Sequence, residues 1–297
     1  MSTITSGKQR LKRFDAFDFF NTVFMSILCL LTLYPFLHLL SLSLSPGDLP
    51  LTSLHLLPPD ITWVNYQKVL TNEYILSGFL NTITRTVLGT ALSVCVTVFA
   101  AYPLAKRFFP HRTFWTGYIV FTMFFSGGLI PNYLLVKNLG LMNSIWALVL
   151  PGLVSAFTLV ITRNFMMALP EALEESAKMD GANEIVILFR IIIPLSLPII
   201  ATLSLWVAVG HWNAWFDSLI YTSDAHKQVL QVVMRRIVLL GSKDMMDVNK
   251  FDDPNLVANP DTIKAATIMV TIIPIILMYP FLQKYFVKGV LVGSMKG

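Results

Sequence analysis

Five carboxylates, Glu171, Glu174, Glu175, Asp180 and Glu184, fall within fourteen residues at the start of the stretch EALEESAKMDGANEIVILFRIIIPL. No metal-ligand spacing, Gly-rich phosphate loop, nucleophile elbow or disulfide framework accompanies them, here or elsewhere in the chain. The chemistry open to them is therefore electrostatic and not bond-breaking. Acid gathered in one place holds a segment out of a bilayer, or docks it on another surface.

The element that positions these groups reads as a helix. Pro170 suits a first helical position, and Glu171 and Glu174 favour the positive end of the helix dipole. Gly181 is placed to end the helix in a left-handed cap. The result is a helix over 170–180 and a second short helix over 182–189, before Pro194 starts the next apolar run. Leu173, Ser176 and Ala177 share a face at i, i+3, i+4 spacing, and two of the three are small, so another surface could come close. Glu174 and Lys178 are set for an i, i+4 pair worth about 0.3 kcal/mol. A solvated loop that only keeps charge out of lipid is the plainer reading, yet it needs neither a small face nor a glycine at a helix end.

Elsewhere the chain avoids charge. Of 297 residues, 55% are hydrophobic and 13% charged, against roughly 25% charged in an ordinary soluble domain. Six stretches, 19–47, 86–105, 113–136, 138–162, 191–216 and 265–283, hold no Asp, Glu, Lys or Arg, and each has at least nineteen residues. About 20 apolar residues cross a hydrocarbon core of about 30 Å. Helices of a soluble core would show a polar stripe that these runs lack. The predicted fold class is all-α: a polytopic membrane protein with six transmembrane helices, the acidic segment lying between the fourth and fifth.

The net charge of +5 follows orientation and implies no nucleic-acid partner. Lys8, Arg10, Lys12 and Arg13 lie before the first span, Lys106, Arg107 and Arg112 after the second, and Lys284, Lys288 and Lys296 at the end. The positive-inside rule then puts both termini and the acidic segment in the cytoplasm. The first span is too long for a signal peptide and is expected to be retained. Between spans one and two, a Pro-rich loop carries a short helix near 63–70.

Single residues stand out against the apolar background. Arg85 falls within the second span and should face protein or water; Asp217 is one candidate partner, and snorkelling or plain structural pairing is the alternative. Gly127, Gly128 and Pro131 break span three, and Pro151 and Gly152 break span four. Small-residue packing and pathway lining both account for such breaks. Cys29 and Cys95 are expected as packing residues, and His38 and His211 as structural ones.

The acidic stretch resembles the EAA signature of the inner-membrane subunits of ATP-binding-cassette importers. Glu175, Ser176, Ala177, Gly181, Ile191, Ile193 and Pro194 match its spacing, with Ser176 in place of the usual second Ala and Ile193 in place of the usual Leu. HWNAWFDSLIY and QKYFVKGVLVGSMKG are similar to the span-five and C-terminal stretches of carbohydrate permeases, a group that includes the second maltose subunit. FSGGLIPNYLLVKNLGLMNSIWALVLP resembles a subgroup that handles complex oligosaccharides, among them alginate- and pectin-type fragments.

The resemblance implies a cytoplasmic coupling-helix segment, 170–190, within a six-span domain over 18–288, flanked by cytoplasmic tails at 1–17 and 289–297. It implies that Glu175, Ser176, Ala177, Asp180, Gly181 and Pro194 couple the chain to a dimeric cytoplasmic ATPase. That ATPase would hold ATP and Mg, while this chain binds no cofactor and no metal and hydrolyses nothing. The other expected partners are a homologous second permease, an extracytoplasmic solute-binding protein and the lipid of the bacterial inner membrane. Trp212, Asn213, Trp215 and Asp217 are the substrate-path candidates, since aromatic faces pack on sugar C–H surfaces and Asn or Asp accepts hydroxyl hydrogen bonds. An interfacial aromatic belt accounts for the two tryptophans equally well. A secondary transporter or channel without an ATPase is the alternative class.

Overall fold

A bilayer offers backbone N–H and C=O groups no partner but each other, so apolar runs of this length fold as helices. The computed structural model describes residues 16–46, 58, 60–240 and 259–294, with side chains of 240 and 278–294 excepted. In chain order the helices begin with α1 (Ala16–Ser43), α2 (Val64–Thr71), α3 (Glu73–Ala105), α4 (Arg112–Phe124) and α5 (Leu129–Asn138). There follow α6 (Ile145–Val149), α7 (Ala156–Met167), α8 (Glu171–Met179), α9 (Glu184–Ile187), a π-helical turn (Leu188–Ile192) and α10 (Ile193–Leu195). The remainder is α11 (Leu197–Asn213), α12 (Phe216–Tyr221), α13 (Leu230–Leu240) and α14 (Pro260–Ser294). Among the described residues there is no strand, as the all-α reading requires.

The expected spans differ in how straight they run. Ala16–Ser43, Glu73–Ala105 and Pro260–Leu277 are each long and apolar enough to cross a membrane. Two more crossings arise only if bent pairs count as one: α4 with α5 at 108°, and Glu184–Leu195 with α11 at 76°. Helix length thus supports three crossings among the described residues, and five if each bent pair is one span, where six are expected. The stretch 138–162, expected as the fourth, is split into α6 and α7 by turn and bend at 150–155, around Pro151 and Gly152. Gly128, at φ +85, makes the α4–α5 corner. Pro194 and Pro198 lack the N–H that would continue an α-helix. The chain accordingly widens into the π-helical turn and bends at Ser196, whose N–H donates to Ile192 at 2.9 Å and to Ile193 at 3.1 Å. The straight part of the fifth span therefore starts at Leu197 and not at Pro194.

α3 organises the rest. Its 33 residues are about 50 Å long at about 1.5 Å each, roughly 20 Å more than a hydrocarbon core. The overhang at its Glu73 end receives α2 and α13. Gly78 admits the Leu230 backbone to 3.2 Å from where a Cβ would stand, and the Leu230 N–H donates to the Thr82 hydroxyl at 2.9 Å. Val69, Ile75, Leu230, Val233, Ile237, Ile263 and Ala266 form one core there. Asn65 ties three helices together: its Nδ2 donates to the carbonyls of Ser43 and Ser45, and its Oδ1 accepts from Thr262 at 3.0 Å. A second core lies at the Ala105 end, built from Val98, Ala101, Tyr102, Met166, Ile187, Leu188 and Ile192.

Elsewhere the apolar surface faces outward. Phe17, Phe20, Leu30 and Leu31 of α1 are exposed, an arrangement that only lipid or another subunit makes stable. Cys29 and Cys95, expected inside, are also exposed, because a span covers only one side of itself with its own chain.

At the α3–α11 crossing a Cβ on Gly89 would fall inside contact distance of the His211 ring. His211 is itself held by Arg85, so it has little room to yield. Gly89→Ala is expected to destabilise the purified protein by about 1–3 kcal/mol, read as a lowered melting temperature in detergent. An unchanged melting temperature would show that the two helices can part at no cost.

Candidate functional site

The acidic segment forms a knuckle between α7 and α11. Glu171 is the first residue of α8, one later than expected, with Pro170 at the N-cap. At the other end Gly181 adopts φ +83. The Gly181 N–H donates to Lys178 at 3.0 Å and the Ala182 N–H to Ala177 at 2.9 Å. This is the Schellman pattern, in which a left-handed residue turns the chain while the last carbonyls keep partners. Asn183 then caps α9 by accepting from the Val186 N–H at 2.9 Å.

The acid has a purpose the local spacing does not reveal. Lys106, just past the end of α3, forms an ion pair with Glu174 and lies 3.6 Å from Glu184. Lys178 reaches Glu184 at 2.7 Å, and Arg107 reaches Glu171 at 2.7 Å. The Tyr102 hydroxyl donates to Glu184 at 2.6 Å, and the Lys106 ammonium sits 4.2 Å from the Tyr102 ring centroid. The expected Glu174–Lys178 pair is absent: Glu174 pairs across the fold with Lys106, which is buried and needs a counter-charge more than an exposed helix pair does, and Lys178 turns to Glu184 within the knuckle. Three of the five carboxylates thus fasten the knuckle to α3. Glu175 and Asp180 are exposed and have no ionic partner among the described residues.

The small face divides in two. Ala177, with Ala182, packs inward on the Met166–Ile187 core. Ser176 and Glu175 face outward, together with Met179 and Leu173. The expectation that Leu173, Ser176 and Ala177 form one open surface is corrected accordingly, since the Schellman turn folds Ala177 against the chain itself. Gly181 stands in space that is open among the described residues, none of which comes within 4 Å of where a Cβ would stand. Pro194 lies beyond the knuckle in α10.

Burial alone would raise the Glu184 carboxyl. Its contacts with Lys178, Tyr102 and Lys106 outweigh that and hold it below the ordinary glutamate value. Burial pushes the Lys106 ammonium down, with Glu184 opposing. A carboxyl held low in the folded state contributes stability above its unfolded value and loses it as pH falls through the folded one. Backbone amides of α8 and α9 are therefore expected to exchange faster as pH drops from about 5 to about 3, after correction for intrinsic rates. Glu184→Gln should flatten that change. An identical profile in the variant would exclude Glu184 as the titrating tie.

The second group of candidates meets at the α11–α12 break. Arg85, 3% exposed, forms an ion pair with Asp217, 29% exposed. Its Nη1 also donates to the Ala214 carbonyl at 3.2 Å and its Nε to His211 Nδ1 at 3.3 Å. Asp217 is thereby occupied, and it further accepts from the Ser218 N–H at 2.9 Å. From Arg85 to Ala105 is 105 − 85 = 20 residues, about 30 Å of helix, the thickness of one hydrocarbon core. Trp212 is buried, and its indole N–H has no partner among the described residues. Asn213 is exposed and donates back to Val209 at 3.0 Å. Trp215 packs beside Val136, Leu148, Val229 and Val232.

Sequence reasoning places no helix between the fifth and sixth charge-free runs and so misses α13. Its signal is present in LQVVMRRIVLL: Leu230, Val233 and Ile237 recur at helical spacing, and all three are buried. The basic residues of the N-terminal tail, residues 241–258, and the side chains of Lys284, Lys288 and Lys296 lie outside the described part.

Comparison with known proteins gives a consistent picture. The family model for a binding-protein-dependent transport system inner membrane component matches residues 74–292. Protein LplC of Bacillus subtilis (strain 168) is 42% identical over 282 residues, 95% of each chain. The polygalacturonan/rhamnogalacturonan transport system permease protein YtcP of the same organism is 40% identical over 285 residues, 95% of this chain and 98% of that one. Among solved structures, a chain of a bacterial ABC transporter involved in the import of the acidic polysaccharide alginate aligns with a TM-score of 0.83. That alignment has 31% identity and covers 96% of this chain and 100% of the other.

Proposed function

Because the chain belongs to the family of binding-protein-dependent transport system inner membrane components, we propose that it is the permease subunit of an ATP-driven importer of oligosaccharides. The family is one of multi-pass inner-membrane permeases, with an ATPase and a binding protein as partners, and not of catalysts. The names of the similar chains, one for a pectin-type polymer and one from an alginate importer, support an acidic sugar as cargo. In this reading both termini and the knuckle are cytoplasmic, and the six-span domain runs over 18–288. The partners are a homologous second permease, a dimeric ATPase and an extracytoplasmic binding protein. ATP and Mg belong to the ATPase, and this chain supplies no catalytic residue.

One observation carries the reading. The knuckle is capped and tied down on its inner side by Ala177, Glu174 and Glu184, while its outer side leaves Glu175, Ser176, Asp180 and Gly181 uncovered among the described residues. A rigid part with one fastened and one open face is suited to transmit force. Glu175, Ser176, Asp180 and Gly181 would seat on the ATPase, Ala177 would anchor the seat, and Pro194 would set the bend by which its movement reaches α11. ATP binding that favours one seat geometry would then shift the two permeases between inward- and outward-facing states. Trp212, Asn213 and Trp215 line the candidate sugar path. Asp217 serves Arg85.

Copurification tests this. Exchanging 175–181 for a Gly/Ser linker of equal length is expected to release a soluble ATPase from the solubilised complex while the permease stays in the membrane. An ATPase that remains bound would count against the knuckle as the joint. An ATPase-independent carrier would keep an ionisable group free for ion coupling, whereas Arg85 and Asp217 occupy each other.

A further inference from the structure

Beside the Arg85 clasp lies a second arginine with no role in it. Val232 on α13 is buried in the cluster that Trp215 packs against. Arg235 follows one turn later, and its guanidinium carbon stands 3.6 Å from the Trp215 ring centroid. At that separation the guanidinium lies on the ring face, which leaves its N–H edge open. Among the described residues no carboxylate or carbonyl takes that edge, and the side chain is exposed. Asp217 is two residues from Trp215, but it is claimed by Arg85. Arg235 sits over the indole face of Trp215, a sugar-path candidate, with its donors unclaimed by protein among the described residues.

We infer that Arg235, stacked on Trp215, is a binding site for the carboxylate of an acidic sugar unit. This rests on the oligosaccharide reading above and adds the group that selects for acid. A planar guanidinium takes a carboxylate through two parallel N–H···O contacts. The Trp215 platform fixes its plane, so little side-chain freedom is lost on binding. The site lies at the level of Arg85, about one core thickness from Ala105, on the side where cargo delivered from outside would first meet the permease.

The test uses the whole permease–ATPase assembly in nanodiscs without its binding protein, titrated with trigalacturonate and with its methyl ester. The unaltered assembly is expected to prefer the acid by about tenfold or more, the size of one charge-assisted bidentate contact. Arg235→Ala should bring the ratio close to one, Arg235→Lys should retain part of it, and Arg236→Ala should leave it unchanged. A ratio that survives Arg235→Ala, or that falls equally in Arg236→Ala, overturns the site. Equal binding of acid and ester by the unaltered assembly also overturns it, with the oligosaccharide reading left standing. Binding of neither probe, with no sugar imported by the complete system, would remove that reading as well.

Discussion

Gly181→Trp is expected to abolish ATP-driven uptake and sugar-stimulated ATPase activity while membrane insertion stays normal. Two effects combine, and the structure lets them be separated. The first is backbone strain: at φ +83 any L side chain costs about 1–2 kcal/mol. Gly181→Ala isolates that term, because a Cβ there meets nothing within 4 Å among the described residues. Alanine should therefore weaken coupling only modestly. The second is bulk. The Cβ points into space that is open among the described residues, so harm beyond the alanine effect is assigned to a surface seated on the knuckle. A clash in a close-packed docking site costs about 3 kcal/mol, or roughly a hundredfold in ATPase affinity. Uptake by reconstituted complexes and copurified ATPase are the readouts. If tryptophan proves no worse than alanine, nothing docks there.

The second large effect is at the clasp. Asp217→Ala leaves Arg85, 3% exposed, with only His211 and a backbone carbonyl for company. Removing one partner of a buried pair costs about 3–5 kcal/mol. Arg85→Ala should cost less, because Asp217 is partly exposed and keeps the Ser218 N–H. Replacing both with apolar residues of similar size is expected to restore folding almost completely, since no charge is then left alone. It should also preserve most of the uptake, because Asp217 is engaged by Arg85 and the Ser218 N–H and the clasp holds the α11–α12 break in place. Unfolding of the purified complex, followed by thermal shift, gives the order. Equal and small losses in both single variants would show that the pair is solvated and unimportant. A double variant that folds well but transports nothing would assign Asp217 to the path after all.

What was legible in the sequence was local. Charge-free runs specify helices because lipid leaves the backbone no other choice, and Pro170 and Gly181 specify the knuckle because caps depend on φ and on hydrogen bonds a few residues apart. The short helix near 63–70 was legible for the same reason, and it appears as Val64–Thr71. What only the tertiary structure decided was competition. Glu174 has Lys178 four residues away and Lys106 sixty-eight residues away, and takes the distant one. Burial strips water from Lys106, and sequence spacing carries no information about which ammonium ends up dry. The same holds for Arg85, which is matched to Asp217 across 132 residues, and for Ala177, which a docking face would display but the core takes. Bends belong here too: Pro194 and Pro198 announce a weak point, but the 76° angle is set by what the two halves pack against. The sequence determined where helices start, stop and loosen; packing determined which charges meet, because an ion pair is chosen by shared exclusion from water and not by distance along the chain.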